Sequence, residues 1–423
     1  MFSPSLRAAA ALVLTAFAWS AQAEPLSLQD ALRMAEQRSR QLPAQTAAAE
    51  AARQMAVSAG QRPDPILKAG VDNLPINGPD RFSATRDFMT MRTVGISQEW
   101  TRSDKLRLRA SRFEREAEAA EAGRQLALAN LQRDTAIAWL DLYYQQRTRD
   151  VLQEQKVEAA LPVQAADAVY RSGRGSQADV FAARAAVVQI EDRIAATERE
   201  ITSAKTMLTR WTGATVGEAL EAPPALDTVR LREETLDQDI AHHPEVAVLV
   251  KQEAAAQAEA DSARANKRPD VSVELSYSQR GPGYSNMVSF GVSIPLQWDQ
   301  KNRQDRELGA KLAVVDQLRA QREEETRMHV AEARTMLQQW QSNLERLRRY
   351  DAEILPLATE RTRAALAAYR GGTALLNVVL DARRGEIDTR MERLRLETEA
   401  ARLWAQLNYL IPAGHDGAME TVK

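Results

Sequence analysis

The sequence predicts a mainly α-helical protein that carries four β-strands and contains two copies of one helix-and-strand unit. Of its 423 residues, 27% are charged and only 5% are aromatic, which is typical of long helices packed through narrow seams of small residues. Part of the second half repeats the first: over more than forty residues from Tyr170 the offset is a constant 199, with the matching pairs Tyr170 and Tyr369, Val180 and Val379, Arg184 and Arg383, and Leu208 and Leu407. Residues 271–296 alternate apolar with small or polar side chains, which indicates two strands.

Residues 1–23 are predicted to be a secretory signal peptide. Arg7 supplies the positive start, the run from Ala8 to Trp19 is apolar, and Ala21-Gln22-Ala23 is a small-x-small cleavage site. The alternative is an uncleaved membrane anchor, but the run is shorter than the ~20 residues that a membrane-spanning helix needs. We therefore expect export and cleavage after Ala23. With no cysteine in the chain, we expect neither disulfides nor a lipid anchor on an N-terminal cysteine.

The first repeat is predicted to span residues 24–214. We expect, in order, an Ala-rich helix at Leu28–Gly60, strands at about 66–74 and 88–100, a long helix at Asp104–Tyr170 and a return helix at Ser176–Trp211. At the rise of an α-helix, the long helix would extend roughly 100 Å. The return helix has an apolar residue at every seventh position, namely Val180, Val187, Ile194, Ile201 and Leu208, which predicts coiled-coil packing on a neighbouring helix.

A linker at 215–235, which contains Pro223-Pro224, separates this unit from the second repeat at 236–413. The second repeat is predicted to have a helix at Leu236–Arg264, strands at about 271–279 and 287–296, a long helix at Asn302–Tyr369 with a kink at Pro356, and a return helix at Thr373–Leu410. Residues 414–423 are expected to be a C-terminal tail.

The strands of the second repeat have the length and the two-residue period of strands that cross a membrane. A water-soluble hairpin with one buried face is the alternative interpretation of the same pattern. Because four strands cannot close a barrel, we expect their edges to be paired by other copies of the chain.

The chain is predicted to reverse direction at Tyr170-Arg171-Ser172-Gly173-Arg174 and at Tyr369-Arg370-Gly371-Gly372-Thr373. Each stretch stands between two long helical segments. Gly173, Gly371 and Gly372 are expected to supply the positive φ that a helix end needs.

This layout resembles the TolC-type outer-membrane factor family. The opening Leu28-Gln29-Asp30-Ala31-Leu32 is similar to the start of the family's first helix, and both reversals resemble its periplasmic turns. In the first reversal the matching residues are Tyr170, Gly173, Asp179-Val180 and Ala183-Arg184; in the second they are Tyr369, Gly372 and Val379-Leu380-Asp381-Ala382.

The resemblance implies a homotrimer whose three chains contribute four strands each to one twelve-stranded outer-membrane barrel, continued by a helical coiled-coil barrel in the periplasm. It implies a passive exit duct of a Gram-negative efflux system, held in outer-membrane lipid, that docks on a periplasmic adaptor and an inner-membrane RND-type pump. Such a duct is not an enzyme and needs no cofactor.

The resemblance also assigns roles at the reversals, which form the family's periplasmic mouth. Asp179 and Asp381 match positions whose acidic side chains narrow that mouth. Tyr369 matches a tyrosine that braces the closed mouth, and Tyr170 is its counterpart in the first repeat.

Two positions depart from the family pattern, since Val378 replaces an acid and Ala374 replaces an arginine. An alternative interpretation of Asp179 and Asp381 is that they are ordinary first-turn aspartates, which the helix dipole favours.

The first strand pair is most similar to the family branch that serves heavy-metal efflux pumps, so metal cations are the expected cargo. Met89 and Met91 could be soft-metal ligands, but their spacing places both on one strand face, where methionine usually packs. No histidine has a zinc-ligand spacing with partners, and His242-His243-Pro244 is expected to end a helical turn.

Two other functions stay open at this stage. A duct of the same fold could serve drug efflux or type I protein secretion. A protein of another class, a periplasmic coiled-coil scaffold or adaptor without a pore, would also need long helices, but it would not need the strands. The net charge of −2 gives no support to a nucleic-acid partner.

Overall fold

The computed structural model describes residues 25–214, 217 and 219–412. The predicted signal peptide, part of the linker and the predicted tail lie outside these residues. The described chain divides into two compact units. The first contains residues 25–39, 130–233 and 333–412, and the second contains residues 40–129 and 234–332.

The elements of the first half of the chain follow the predicted order. They are α1 (Leu28–Arg38), α2 (Gln41–Ala59), β1 (Ile66–Asp72), β2 (Met91–Trp100), α3 (Ser103–Arg171) and α4 (Gln177–Thr212). The long helix α3 has 69 residues and continues through Pro162. None of the helices in the described residues is long and apolar enough to cross a membrane.

The second half contains α5 (Leu236–Ala241), α6 (Pro244–Ala265), β3 (Val271–Gln279), β4 (Met287–Ser293), α7 (Gln304–Arg349), α8 (Leu355–Arg370) and α9 (Leu376–Asn408). A π-helical turn at Tyr350–Ile354 joins α7 to α8 just before Pro356. This π-helical turn lies next to the position where the sequence predicted a kink. Since proline has no N–H for the helical hydrogen-bond ladder, the wider turn absorbs the missing bond.

Four details of the sequence prediction are wrong. The segment Leu28–Gly60 is two helices that part at Ser39-Arg40, and Leu236–Arg264 is interrupted at His242-His243. In the second case Pro244 explains the break, because it occupies the first turn of α6 and its ring excludes a continuous helix. Strand β4 stops at Ser293, before the predicted end at 296. Strand β2 begins at Met91, so Met89 lies outside it and the two methionines do not share a strand face.

The four strands form one antiparallel sheet in the order β1-β2-β3-β4. The register pairs Gly95 of β2 with Lys68 and Ser276, and Ser276 with Ser289. A Cβ on Gly95 would lie 2.8 Å from the Cβ of Ser276, so glycine is what allows β2 and β3 this approach. Strands β1 and β4 are the two edges.

In the first unit, three tryptophans on helices form hydrogen bonds to backbone carbonyls of non-helical segments. The indole N–H of Trp139 donates to the Leu26 carbonyl at 3.0 Å, that of Trp340 to the Leu226 carbonyl at 3.2 Å, and that of Trp404 to the Thr228 carbonyl at 2.9 Å. A buried indole N–H needs an acceptor, and these carbonyls supply one. The Leu26 carbonyl also accepts the Glu221 N–H at 3.2 Å, so these bonds hold the segment after the predicted signal and part of the linker in place.

In the second unit, α6 and α7 pack through small and branched residues. Ala256, Ala260 and Val315 are buried at this contact, and Leu308 and Leu312 cover it. Small alanine side chains on the α6 side of this contact fit the low aromatic content of the chain.

Candidate functional site

One face of the four-stranded sheet is apolar and exposed. Residues that lie opposite one another in antiparallel strands share a face. One row of this face contains Leu67, Ile96, Leu275 and Phe290, and the next contains Ala69, Val94, Tyr277 and Val288. Phe290 and Val288 are 70% and 71% exposed. A contiguous exposed surface of this kind indicates a face that lipid or another protein covers.

The opposite face is small and polar. It carries Gly95, Ser276 and Ser289 in one row, and Lys68 reaches across it to form an ion pair with Glu274 at 2.5 Å. The sheet therefore separates an apolar surface from a polar one. Its edge strands leave their outer N–H and C=O groups without a strand partner in the described chain, so another strand can pair there.

The first reversal joins α3 to α4 through a left-handed glycine. Gly173 has φ +75°, and the N–H groups of Arg174 and Gly175 both donate to the carbonyl of Val169 at 3.2 Å. Helix α4 then begins with a capping box: the Ser176 hydroxyl accepts from the Asp179 N–H, and the Asp179 carboxylate accepts from the Ser176 N–H.

The second reversal joins α8 to α9 and is built differently. Gly372 has φ +78°, whereas Gly371 has φ −76° and is still helical. The expectation of positive φ is confirmed for Gly173 and Gly372 and is wrong for Gly371. Helix α9 follows Leu375 and begins without a side-chain cap.

The two glycines of the second reversal provide a matched pair of variants. We expect Gly372→Ala to lower the free energy of unfolding by about 1–2 kcal/mol, because an L-residue is strained at positive φ. No atom lies within 4 Å of the added Cβ, so the loss would come from the backbone alone. Gly371→Ala should raise stability by about 0.5–1 kcal/mol by restricting the unfolded chain. Equal unfolding midpoints for the two variants in denaturant would contradict this assignment.

Both reversals share one apolar core within the first unit, which we call the reversal cluster. Its buried residues come from α3, α4, α8 and α9 and are Ala165, Ala166, Val180, Ala183, Leu366, Tyr369, Leu376 and Val379. Tyr369 lies inside the cluster, whereas its counterpart Tyr170 is 44% exposed. The two tyrosines of the sequence prediction thus have different surroundings.

Tyr369 and Asp179 interact electrostatically. Burial, and then the negative charge of Asp179, raise the pKa of the Tyr369 hydroxyl, because both disfavour the phenolate. This buried hydroxyl has no hydrogen-bond partner among the described residues. An electrostatic interaction therefore links Asp179 of the first reversal, a predicted acidic mouth residue, to Tyr369 of the second, the predicted bracing residue.

The two predicted aspartates occupy different positions in their helices. Asp179 is in the first turn of α4 and caps it, as the alternative interpretation expected. Asp381 is exposed beyond the first turn of α9, so that interpretation is wrong for it. In the part of the chain that the structure describes, Asp381 makes no hydrogen bond or ion pair. Its charge is therefore available to solvent or to another chain.

Farther along α9, a buried carboxylate has three donors. Glu386 is only 1% exposed and accepts from Arg383 at 3.1 Å, from Arg390 at 3.0 Å and from the Thr359 hydroxyl at 3.1 Å. Arg383 also pairs with Glu158 of α3. We call these five residues the charged cluster. Burial alone would raise the pKa of Glu386, but the hydrogen bond from Arg390 and the charge of Arg383 outweigh it and hold that pKa below its usual value.

Sequence periodicity did not identify the charged cluster. At the offset of 199, Glu386 stands where the seam of α4 has Val187, and Arg393 stands where it has Ile194. Arg393 pairs with Asp351 and Glu397, which raises its pKa. The charges at apolar seam positions were a signal that could have been noticed in the sequence.

The structure also joins two histidines that are far apart in the sequence. The rings of His243, before α6, and His329, on α7, lie with their centroids 4.4 Å apart and are tilted by 37° to each other. Sequence spacing did not relate these two histidines to each other, and in the structure Glu245 lies beside both rings.

This architecture is similar to that of known outer-membrane proteins. Residues 235–411 match the sequence model of the family described as Outer membrane efflux protein. No curated protein sequence matches the chain. Among solved structures, the chain is similar to the outer-membrane channel OprN, with a TM-score of 0.77 and 19% identity over 92% of this chain and 90% of that one.

Two further structures are similar. The outer membrane protein VceC from Vibrio cholerae gives a TM-score of 0.75 at 20% identity over 90% of this chain and 95% of that one. CusC, whose structures are described in terms of transmembrane channel formation, gives a TM-score of 0.75 at 17% identity over 90% of this chain and 92% of that one. Residues 235–411 thus match the family model described as Outer membrane efflux protein, and the chain has the fold of these outer-membrane channels.

Proposed function

We propose that this protein is the outer-membrane channel of a tripartite efflux system, a passive exit duct across the periplasm and outer membrane. The observation that carries the proposal is the sheet, with one apolar exposed face, one small polar face and two edges free to pair. An apolar face suits lipid and a polar face suits a water-filled interior. The match of residues 235–411 to the outer membrane efflux protein model supports the same function.

Three copies complete the duct in this proposal. Edge β4 of one chain pairs with edge β1 of the next, and a head-to-tail contact of this kind closes into a ring when the rotation between chains permits it. Twelve strands then enclose the pore, and the long helices continue it. A periplasmic adaptor and an inner-membrane RND-type pump would complete the system and supply the energy.

Membrane fractionation tests this function against a pore-free scaffold. We expect the mature chain in the outer membrane as a trimer that resists dissociation by detergent until it is heated. Purified trimer should form ion-conducting channels in planar bilayers. A chain recovered as a soluble periplasmic monomer or dimer would contradict the channel and favour the scaffold.

For the cargo, we propose heavy-metal cations, with Asp179 and Asp381 at the periplasmic mouth. Three copies would bring six carboxylates there, and a concentrated negative charge attracts cations. The same reversals also carry the exposed side chains of Arg171, Arg174 and Arg370. The sign of the channel's ion selectivity therefore decides which of these charges face the pore.

We expect the double variant Asp179→Asn and Asp381→Asn to lower the cation-to-anion permeability ratio of single channels by a few-fold in dilute salt. Asparagine retains an oxygen that can cap α4, so the change removes charge and keeps the helix start. The difference should shrink between about 0.1 M and 1 M salt, as the Debye length falls from about 10 Å to 3 Å. Reversal potentials measure the ratio, and the exposed pair Asp192→Asn and Asp388→Asn is the control. An unchanged ratio would remove both aspartates from the mouth.

A strain that lacks the protein separates the cargo classes. Lost metal tolerance with unchanged drug tolerance would support metal efflux, and the reverse would support a drug duct of the same fold.

A further inference from the structure

His243, Glu245 and His329 bring one possible metal-ligand atom each to within 4.8 Å of the others. We propose that they form a binding site for a first-row divalent metal ion, represented by Zn²⁺, with one site per chain. Imidazole and carboxylate are ligands that zinc accepts, and two histidines with one glutamate leave a fourth position for water. All three residues belong to the second unit.

The histidine on α7 is prepared for this role by its burial. His329 is only 12% exposed, and its Nε2 lies 3.2 Å from Oε2 of Glu245 without forming a hydrogen bond. Nε2 has no hydrogen-bond partner among the described residues. A buried ring nitrogen without a hydrogen-bond partner is destabilising, because it has lost its hydrogen bonds to water and has formed none within the protein. A metal ion between Nε2 and Oε2 would satisfy both atoms.

A second carboxylate stands on the other side of the same ring. Oε2 of Glu332 lies 3.6 Å from Nδ1 of His329. Metal-bound histidines usually direct their second N–H at a carboxylate, which fixes the tautomer and orients the ring. With the proton on Nδ1, Nε2 presents its lone pair toward Glu245. The two carboxylates also balance the charge of a divalent ion.

His243 enters the site as the residue before α6. Its Nδ1 accepts a long hydrogen bond, 3.3 Å, from the Glu245 N–H. A metal ion bound to Nδ1 would use the lone pair that accepts this hydrogen bond. A metal ion bound to Nε2 would leave the ring proton on Nδ1, which then could not accept. In either case metal binding replaces the hydrogen bond. The ligands of a tetrahedral zinc ion lie about 3.4 Å apart, so the three atoms must draw together by about 1 Å. The half-buried Glu245 side chain can make most of that movement.

The site would join the start of α6 to α7. These helices already pack through Ala256, Ala260 and Val315. A bound ion stabilises the folded chain in proportion to its affinity, because the unfolded chain lacks the assembled site.

Zinc titration of purified, tag-free trimer tests the proposal after the protein has been stripped with a chelator. Calorimetry with ZnCl₂ should give one saturable site per chain, and zinc should raise the thermal unfolding midpoint. We expect His329→Ala and Glu245→Gln each to weaken the site by more than about tenfold. Glu245→Gln has nearly the same shape as the natural residue, so it keeps the test valid if His329→Ala fails to fold.

His242→Ala is the matched control, because His242 is adjacent in sequence but exposed, with Nδ1 bonded to the Gln238 carbonyl at 2.9 Å. It should bind zinc as the natural protein does. Three results would each overturn the proposal: no saturable binding at one ion per chain, full affinity in both ligand variants, or equal loss in His242→Ala. The assay needs no channel activity, so its outcome is independent of the proposed transport function.

Discussion

Phe290→Arg is expected to reduce the amount of trimer in the outer membrane by more than about tenfold. Phe290 lies in the middle of the apolar face, in one row with Leu275 and Ile96. An arginine at the middle of a lipid-facing strand costs about 2–4 kcal/mol, and each 1.4 kcal/mol is a tenfold change in equilibrium. Three chains would carry the change in each trimer. Quantifying the unheated trimer band in outer-membrane fractions measures the effect.

Ser289→Arg is the matched control, since Ser289 is the preceding residue of β4 and is also exposed. Its register partner is Ser276, so its side chain belongs to the small polar face. We expect this variant to assemble and to change only conductance or ion selectivity, because an arginine there would face water. Equal loss of trimer in both variants, or normal assembly of Phe290→Arg, would contradict the assignment of lipid to the apolar face.

The faces of these strands were predictable because a β-strand alternates its side chains without exception over a short run. The alternation at 271–296 gave β3 accurately and assigned Phe290 and Ser289 to opposite faces. Strand ends were less predictable, because they depend on where the partner strand stops. Strand β4 ends at Ser293, which pairs with Ser272 near the start of β3, so residues beyond it have little of that strand left to pair with.

The helix break at Ser39-Arg40 had a local signal in Pro43, which lies in the first turn of α2. Proline has no N–H to donate to the Ser39 carbonyl four residues earlier, and its ring crowds that carbonyl, so a continuous helix is disfavoured there. Helix α1 ends with the Ser39 N–H donating to the Ala35 carbonyl at 2.9 Å. At His242-His243, Pro244 was the same kind of signal for a helix start.

The seam of α4 shows what the seven-residue periodicity could predict and what it could not. Val180, Ile201 and Leu208 are buried, and Val187 and Ile194 are partly buried, so the predicted inward face is confirmed. The same reasoning could not show that Glu386 is buried on α9. A charge at an inward position is stable only with partners. Arg383 and Arg390 of the same helix donate to Glu386, but Thr359 on α8, and Glu158 on α3, which pairs with Arg383, come from other helices. The site at His243 and His329 was missed for the same reason.

Glu386→Val should lower the free energy of unfolding by about 3 kcal/mol per chain. Valine is the residue at the equivalent position of α4, so the change suits the apolar seam in shape. Among the described residues, it also leaves Arg383, which is 10% exposed on its side chain, with Glu158 as its one remaining acidic partner. Removing one member of a buried ion pair is strongly destabilising because the other charge stays in a poorly solvated place. Denaturant unfolding of purified trimer, followed by helical circular dichroism, measures the loss.

An exposed ion pair on α8 supplies the control for this variant. Glu360 and Arg363 pair on the surface with side chains 64% and 70% exposed. Glu360→Val should change the unfolding free energy by less than about 1 kcal/mol, since solvent screens such pairs. A similar loss from both substitutions would mean that burial of Glu386 has no energetic consequence.

The pH dependence of the difference between the natural protein and Glu386→Val provides a second test. The pKa of Glu386 is below its usual 4.5 in the folded chain, so its ionised form is stabilised by folding. That contribution is fully present above pH 4.5 and is lost as the pH falls through the folded-state pKa. The stability difference should therefore be constant near neutral pH and shrink below pH 4.5.

A double variant identifies the cause of the destabilisation. Adding Arg383→Leu to Glu386→Val removes both opposite charges from the seam, and well-packed apolar residues can replace a buried ion pair without loss. We expect the double variant to recover more than half of the stability that Glu386→Val loses, although each single change is destabilising. Such coupling identifies an unpaired Arg383 as the source of the loss. Additive losses would instead indicate that valine fails to fill the space left by the carboxylate, and the charged cluster would then contribute through packing.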